Sequence, residues 1–368
     1  MAETTFAIVG TGWRSEFYLR VARALPERFR VTGVLTRKPD RTDLEGAWSV
    51  PARATIEALL ADHPSFAVLS VPWAVTPVLI RELAERGLPV LAETPPAPDL
   101  EGLEALGDLA RDNARVQVAE QYQFQPAIAA RLALVRSGRL GRLSEAHLSL
   151  AHGYHGIDLL RRFLGVGLDP VTVTARRFVA PIVAGPDRSG PPAEERLADS
   201  VQTIAWFDWG DRLGIHDFCD EQYFSWIRGR RCLLRGERGE IDGATVRLLL
   251  DAWTPVEIEL VRRDAGRDGN LEGLHQVGIT AGETWLYRNP FAPARLSEDE
   301  IAVAECLERM AEYVGGGPGF CSLAEGAHDH YLGLMAARAA DEGRPLRAPG
   351  LGWARPAADG GAVGDRPR

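Results

Sequence analysis

The chain has 368 residues, 45% of them hydrophobic and 25% charged, which is room for two domains of ordinary globular composition. Its 51 acidic residues outnumber its 42 basic ones, a net charge of −9, so no basic excess exists to neutralise a nucleic-acid backbone. No apolar run is long enough to span a bilayer, no amino-terminal signal segment is read, and Cys219, Cys232, Cys306 and Cys321 lack metal-ligand spacing; the expectation is a cytoplasmic protein with reduced thiols, no membrane partner and no metal.

In chain order, Phe6–Val9 is a short apolar run suited to a parallel strand covered on both faces. Gly10-Thr11-Gly12-Trp13-Arg14-Ser15 follows. Gly10 permits a sharp turn, Gly12 lets the backbone approach a diphosphate, and Ser15 stands where a third glycine is usual. Phe17, Tyr18, Val21, Ala22 and Leu25 recur on one helical face, Pro26 stops the helix, and Val31–Leu35 is a second strand. Strand, glycine turn, helix and strand within about 30 residues is the setting of the dinucleotide fingerprint, with the diphosphate on the helix N-terminus. Where NAD-binding folds carry an acidic residue, this chain has Thr36, Arg37 and Lys38, then Arg41. A hydroxyl and cations suit a 2′-phosphate, which predicts NADP, with NAD as the alternative.

Ile56–Leu60 reads as a short helix and Phe66–Val71 as a buried strand broken by Pro72-Trp73. Thr76–Arg86 is a helix with Pro77 in its first turn, and Pro89–Ala92 is a strand running into Glu93-Thr94-Pro95. Leu103–Ala110 is read as one helix, and Val116–Ala119 as a strand ending in Glu120-Gln121-Tyr122. In an open parallel sheet ligands lie beyond the carboxyl ends of the strands. Val71, Pro72, Trp73, Thr76, Glu93, Thr94 and Gln121 therefore join Gly10, Thr11, Gly12, Trp13 and Arg14 as candidate cofactor contacts.

The pattern predicts an α/β chain: residues 1–122 as a doubly wound Rossmann domain, residues 123–347 as an α+β substrate domain with a large, open, mainly antiparallel sheet, and residues 348–368 as a flexible tail. Leu143–Leu150 enters the second domain as a strand, followed by an amphipathic helix, Ala151–Leu164. His152 and His155 fall at helical spacing there, and an imidazole is the natural proton carrier near neutrality. Tyr154 and Tyr122 are further proton-capable groups. Strands are expected at Val171–Arg177, Ser200–Asp208, Arg212–Phe218, Arg231–Leu234, Val246–Leu250 and Val256–Val261. Ala184–Ala198 and Arg262–Gly273 read as loops and Gly236–Glu240 as a hairpin turn; Cys219–Tyr223 and Trp226–Arg228 read as surface turn chemistry, with substrate contacts as the alternative.

The order of motifs resembles the glucose–fructose oxidoreductase, inositol dehydrogenase and MocA family from about Phe6 to Pro345. Glu93-Thr94-Pro95 is similar to that family's Glu-Lys-Pro, Phe124-Gln125-Pro126 to its aromatic-x-Pro, and Ser137-Gly138-Arg139-Leu140-Gly141 to its Gly-x-Leu/Ile-Gly turn. Ala151-His152-Gly153-Tyr154-His155, then Asp158 and Leu164-Gly165, is similar to its Asp-x-Gly-x-His helix. Two positions depart: Thr94 stands for the family lysine and Ala151 for the family aspartate, leaving His155 of the usual set. The resemblance implies an NAD(P)-dependent oxidoreductase acting on a sugar-like or polyhydroxylated substrate, with His155 exchanging the proton, Thr94 positioning substrate, and Tyr154 and His152 beside them. It also implies a homodimer or homotetramer packed through the open sheet. The two departures keep other readings open: a redox-neutral epimerase, lyase or glycoside-cleaving enzyme with tightly held nucleotide, or a catalytically silent binding protein.

Overall fold

The computed structural model describes residues 3–38, 42–112 and 114–352. Six parallel strands, β1 (Thr4–Val9), β2 (Phe29–Leu35), β3 (Ala52–Arg53), β4 (Phe66–Leu69), β5 (Val90–Ala92) and β6 (Val116–Val118), form a sheet in the order β3-β2-β1-β4-β5-β6. Helices α1 (Trp13–Ala24), α2 (Thr42–Trp48), α3 (Ile56–Leu60), α4 (Thr76–Glu85), α5 (Leu100–Glu104) and α6 (Gly107–Arg111) connect them. The chain winds outward in both directions from β1 and β4, so a crevice opens beyond their carboxyl ends. Alternate strand residues feed two cores, as a sheet covered on both faces requires. Ala7, Val9, Ala67 and Leu69 pack with Ile80 and Leu83 of α4, while Phe6 and Ile8 pack with Tyr18 and Val21 of α1.

The second lobe holds α7 (Pro126–Arg136), β7 (Leu143–Ser149), α8 (Gly153–Leu164), β8 (Val171–Val183), β9 (Leu197–Asp208), β10 (Leu213–Cys219), β11 (Arg231–Gly236), β12 (Gly239–Asp242), β13 (Thr245–Leu249), β14 (Pro255–Ala265), β15 (His275–Ala281) and β16 (Thr284–Arg288). Two long helices, α9 (Glu298–Val314) and α10 (Leu323–Glu342), and a short strand, β17 (Leu346–Ala348), follow. Its sheet runs β16-β15-β14-β13-β12-β11-β7-β10-β9-β8-β17, and β7 with β10 is the parallel pair in an otherwise antiparallel order. Both long helices begin with a capping box of the Ser-x-x-Glu type. Ser297 Oγ accepts the Glu300 amide at 3.2 Å, and Ser322 Oγ the Glu325 amide at 3.2 Å.

The architecture agrees with the sequence reading, and the details correct it. The run Leu103–Ala110 is two short helices, α5 and α6, separated at Ala105–Leu106. Strands β12, β15 and β16 lie outside the expected ones, and β8 runs beyond Arg177 to Val183; β9 begins at Leu197, so residues 184–196 form a connection as expected and the loop reading is too long by two residues. Strands β12 and β16 are mostly exposed or half-buried, while β15 is mostly buried but mixes Gln276 and Thr280 with Val277 and Ile279; pairing supplies the order that their composition does not. Strand β14 likewise runs to Ala265, inside the stretch taken as a polar loop. The division at residues 122 and 123 is not a division of cores. Helix α9, from late in the chain, lays Ile301, Val303, Ala304 and Leu307 into the core under α1. Ala348, assigned to a flexible tail, pairs with Val171 in β17, while residues 353–368 lie outside the described ones.

Candidate functional site

The glycine turn sits between β1 and α1 at the crevice. Gly10 has φ +113°, and a Cβ there would stand 2.0 Å from the Ser70 carbonyl oxygen, so both its backbone conformation and its neighbour demand glycine. Gly12 differs. A Cβ on it would meet nothing within 4 Å among the described residues, and as N-cap of α1 it offers no side chain to the first amides of the helix. Uncapped amides at the positive end of a 12-residue helix, under open space, fit a diphosphate. The residues here therefore suit a nicotinamide dinucleotide.

The other expected cofactor contacts line the same rim. Thr11 is half-buried, and Trp13, Pro72 and Trp73 are exposed. Arg188, from the β8–β9 connection, places its guanidinium 3.8 Å from the Trp13 ring centroid. Val71 packs behind Gly10, and Thr76 is buried with its hydroxyl on the Pro72 carbonyl at 3.4 Å. Thr36 is buried past the end of β2 and accepts the Lys38 amide at 3.1 Å, while Arg37 and Lys38 are exposed. Arg41 lies outside the described residues. Gln121 is buried with its side-chain oxygen unpartnered among the described residues.

Arg14 is the exception. Its Nε donates to Glu93 at 2.8 Å, Tyr18 donates to the same carboxylate oxygen, and the guanidinium lies over the Phe17 and Tyr18 rings. The side chain is turned inward to Glu93 rather than left free at the turn, which corrects the reading of both Arg14 and Glu93 as open cofactor contacts. Burial works against the Arg14 charge, but the Glu93 carboxylate holds it firmly protonated.

Next to this pair the second lobe delivers its polar groups. His152 is the N-cap of α8, which begins at Gly153 rather than Ala151, and His155 lies in the first turn. Their rings are 5.0 Å apart, as helical spacing predicts. His155 Nδ1 is 2.6 Å from Glu120 Oε2, and both side chains are buried. His155 Nε2 has no partner among the described residues, yet it is not among the polar atoms sealed from water. Tyr122 and Tyr154 flank the imidazole, with ring centroids 4.6 and 4.5 Å away. The Tyr154 hydroxyl reaches back to the Thr94 carbonyl at 3.5 Å, joining the two lobes. His152 Nδ1 is 2.6 Å from the Tyr223 hydroxyl, which also meets the Tyr122 hydroxyl at 3.4 Å.

Burial sets the protonation here. It pushes the Glu120 carboxyl well above the usual carboxylate range, helped by Asp158 nearby. It pulls His155 down to about 3, with the Arg14 charge acting the same way, and His152 down to about 4. Burial thus favours neutral rings at His152 and His155 and works against a charge on Glu120. The phenols of Tyr122, Tyr154 and Tyr223 are pushed up by the same desolvation and stay protonated. Beneath them two ion pairs fix α8. Asp158 holds Arg162 Nε at 2.7 Å, and Arg161 is bidentate on Asp329 of α10 at 2.5 and 3.1 Å.

Glu120 and Tyr223 were missed as site residues. Glu120 carries a legible signal, an acidic residue just past the end of β6 and so on the ligand rim. Tyr223 belongs to the polar cluster Cys219–Tyr223, for which surface turn chemistry is the preferred reading and substrate contact the alternative. Asp220–Tyr223 is a short 3-10 helix after β10, and Gln222 within it is buried against Ser149. Among the described residues no three His, Cys, Asp or Glu side chains are grouped to hold a metal, and the four cysteines are free and buried. A cavity of about 690 Å³ lies over the turns of β11–β14, lined by Arg235, Arg238 and Leu249, and shares no residue with this site.

Residues 4–121 match the profile of the oxidoreductase family with an NAD-binding Rossmann fold, the Gfo/Idh/MocA family. A myo-inositol dehydrogenase from Streptomyces leeuwenhoekii is 33% identical over 292 residues, 73% of this chain and 76% of that protein. The chain belongs to this family. Its fold is shared with solved members at lower identity. A levoglucosan dehydrogenase solved with NADH and levoglucosan has a TM-score of 0.69 at 14% identity, covering 95% of this chain and 100% of the other. A myo-inositol dehydrogenase from Corynebacterium glutamicum has a TM-score of 0.62 at 19% identity, covering 94% and 98%. An oxidoreductase from Agrobacterium radiobacter, solved with NAD+, L-tartaric acid and magnesium, has 0.64 at 17%, covering 94% and 98%. This chain is thus an oxidoreductase of a family with an NAD-binding fold, and no helix among the described residues is long and apolar enough to cross a membrane.

Proposed function

We propose that the enzyme transfers hydride between a nicotinamide dinucleotide and a neutral, sugar-like polyhydroxylated substrate, with His155 exchanging the substrate's proton. The observation that carries this is His155 itself. Its Nδ1 is fixed on Glu120, its Nε2 is left available, and Tyr154 and Thr94 link it to the lobe of the glycine turn. When bound, the dinucleotide supplies the hydride chemistry. Backbone at Gly10, Thr11, Gly12 and Trp13 holds the diphosphate. Val71, Pro72, Trp73, Thr76, Thr94 and Gln121 border the rest, and Thr36, Arg37 and Lys38 favour the 2′-phosphate of NADP over NAD.

A neutral substrate follows from the charges. Arg14 and Arg162 are spent on Glu93 and Asp158, and Thr94 adds no cation. What remains around His155 is His152, Tyr122, Tyr154 and Tyr223, which hydrogen-bond hydroxyl groups and do not attract a carboxylate. The 33% identical relative is named for a cyclic polyol, and a fold neighbour was solved with an anhydro-sugar, which supports the same class. The test is His155→Ala assayed with NADP or NAD and a panel of cyclic polyols and sugars. Turnover should fall by roughly 10²–10⁴, with dinucleotide affinity unchanged in calorimetry. A loss of affinity with unaltered turnover at saturation would overturn the assignment.

A further inference from the structure

We propose that Glu120 is the positioning residue that takes up the substrate's proton through His155, in a charge exchange coupled to the oxidation state of the dinucleotide. The inference rests on the hydride-transfer reading above. Its basis is geometric: a carboxylate from the end of β6 and an imidazole from the first turn of α8 meet at 2.6 Å in a water-poor junction, with the far nitrogen of the imidazole left for a reactant. Thr94 cannot supply a positive charge to this junction, and Ala151 leaves α8 with no carboxylate of its own at that position. Glu120, from another element, provides the acid–base partner that α8 lacks.

The charges facing the pair come from every element around it. Arg14 of α1 and Glu93 after β5 form one ion pair, Asp158 and Arg162 of α8 another. Asp299 of α9 is engaged by Gln125, Cys306 of α9 is a buried thiol, and Tyr122, Tyr154 and His152 are neutral neighbours. Each of these charges has its counter-charge or a hydrogen bond, so among the described residues named here no unpaired cation faces Glu120. The Tyr122 amide donates to Glu120 Oε1 at 3.3 Å, but burial outweighs it and favours the neutral pair; in the tautomer where Glu120 donates to Nδ1, the imidazole proton sits on Nε2. In that state Nε2 cannot accept a proton.

An oxidised nicotinamide carries a positive charge and a reduced one does not. A cation brought to this low-dielectric junction favours loss of one proton from the pair, giving the Glu120 carboxylate, Nδ1–H and a bare Nε2. The step then balances. The substrate O–H proton passes to Nε2, the Nδ1 proton passes to Glu120, and the hydride of the same carbon reduces the nicotinamide as the carbinol becomes a carbonyl. The carboxylate charge and the ring charge disappear together, and the junction is neutral before and after. The reverse reaction draws its proton from the same store.

Calorimetry in two buffers of different ionisation enthalpy counts the protons exchanged. NAD+ or NADP+ should bind with release of close to one proton near neutral pH, NADH or NADPH with almost none, and Glu120→Gln should abolish the difference. In the oxidative direction, turnover of the wild type should rise with pH as the carboxyl ionises. Glu120→Gln should lose this rise and lower kcat by at least tenfold with little change in KM. Equal proton exchange for both oxidation states, or a difference that persists in Glu120→Gln, overturns the proposal. Should Glu120→Gln fail to fold, the ¹⁵N shifts of His155 in the wild type decide. Its proton must move from Nε2 to Nδ1 on adding the oxidised form, and a ring unchanged by saturating dinucleotide overturns it. Absence of any dinucleotide binding by the wild type defeats the hydride-transfer reading itself, not the role of Glu120 within it.

Discussion

The glycine turn and the His155 cluster are built on opposite principles. At the turn, backbone does the binding. Gly12 exposes amides, Gly10 provides the bend, and among the described residues nothing stands within 4 Å of where a Gly12 Cβ would be. At the cluster, side chains from the end of β6, the 3-10 turn after β10 and the first turn of α8 converge, with both imidazole Nδ1 atoms and the Tyr122 and Tyr223 hydroxyls partnered. The first arrangement tolerates surface variation because it depends on conformation. The second depends on several buried groups being correctly ionised at once, so it is the more easily broken.

The largest effect should come from below the cluster. Arg161→Ala leaves Asp329 buried without its bidentate partner, and a denaturant titration should show a loss of about 3–5 kcal/mol. Gly10→Ala tests the turn through its packing. A Cβ at positive φ and 2.0 Å from the Ser70 oxygen should cost about 2–4 kcal/mol, read as a lowered unfolding midpoint. Gly12→Ser separates binding from folding. Serine is a good N-cap and has room, so stability should hold within about 0.5 kcal/mol. Dinucleotide affinity should nevertheless fall at least roughly tenfold, because the hydroxyl competes for the amides that a diphosphate needs. If Gly12→Ser binds normally, the turn is structural only, and the contrast with Gly10 disappears. Replacing Arg37 and Lys38 together by Ala should weaken NADP roughly tenfold and leave NAD unchanged in a binding titration. Tyr223→Phe should act least, lowering kcat by roughly two- to fivefold, about 1 kcal/mol or less, since His152 loses a partner while His155 keeps Glu120.

How much was legible follows the same division. Phe6–Val9 and Gly10–Gly12 announce themselves because a buried parallel strand and a cofactor turn are local patterns, with a period and a spacing. Arg14 misled the reading because a cation beside a glycine turn fits a diphosphate as well as it fits Glu93, 79 residues away. Tyr223 lies in a stretch whose composition is that of any exposed turn. The assignment of α9 to the core under α1 rests on pairing between segments nearly 300 residues apart.

Sequence alone determined the doubly wound lobe and its glycine turn, because each is encoded in residues close together along the chain, while His155 was singled out through the resemblance of its helix to a family motif. Tertiary structure decided which acid partners that imidazole, which way Arg14 points and how the two cores are closed. Those depend on what burial places side by side, and a desolvated charge is stabilised by whichever opposite group lies nearest in space, however distant it is along the chain.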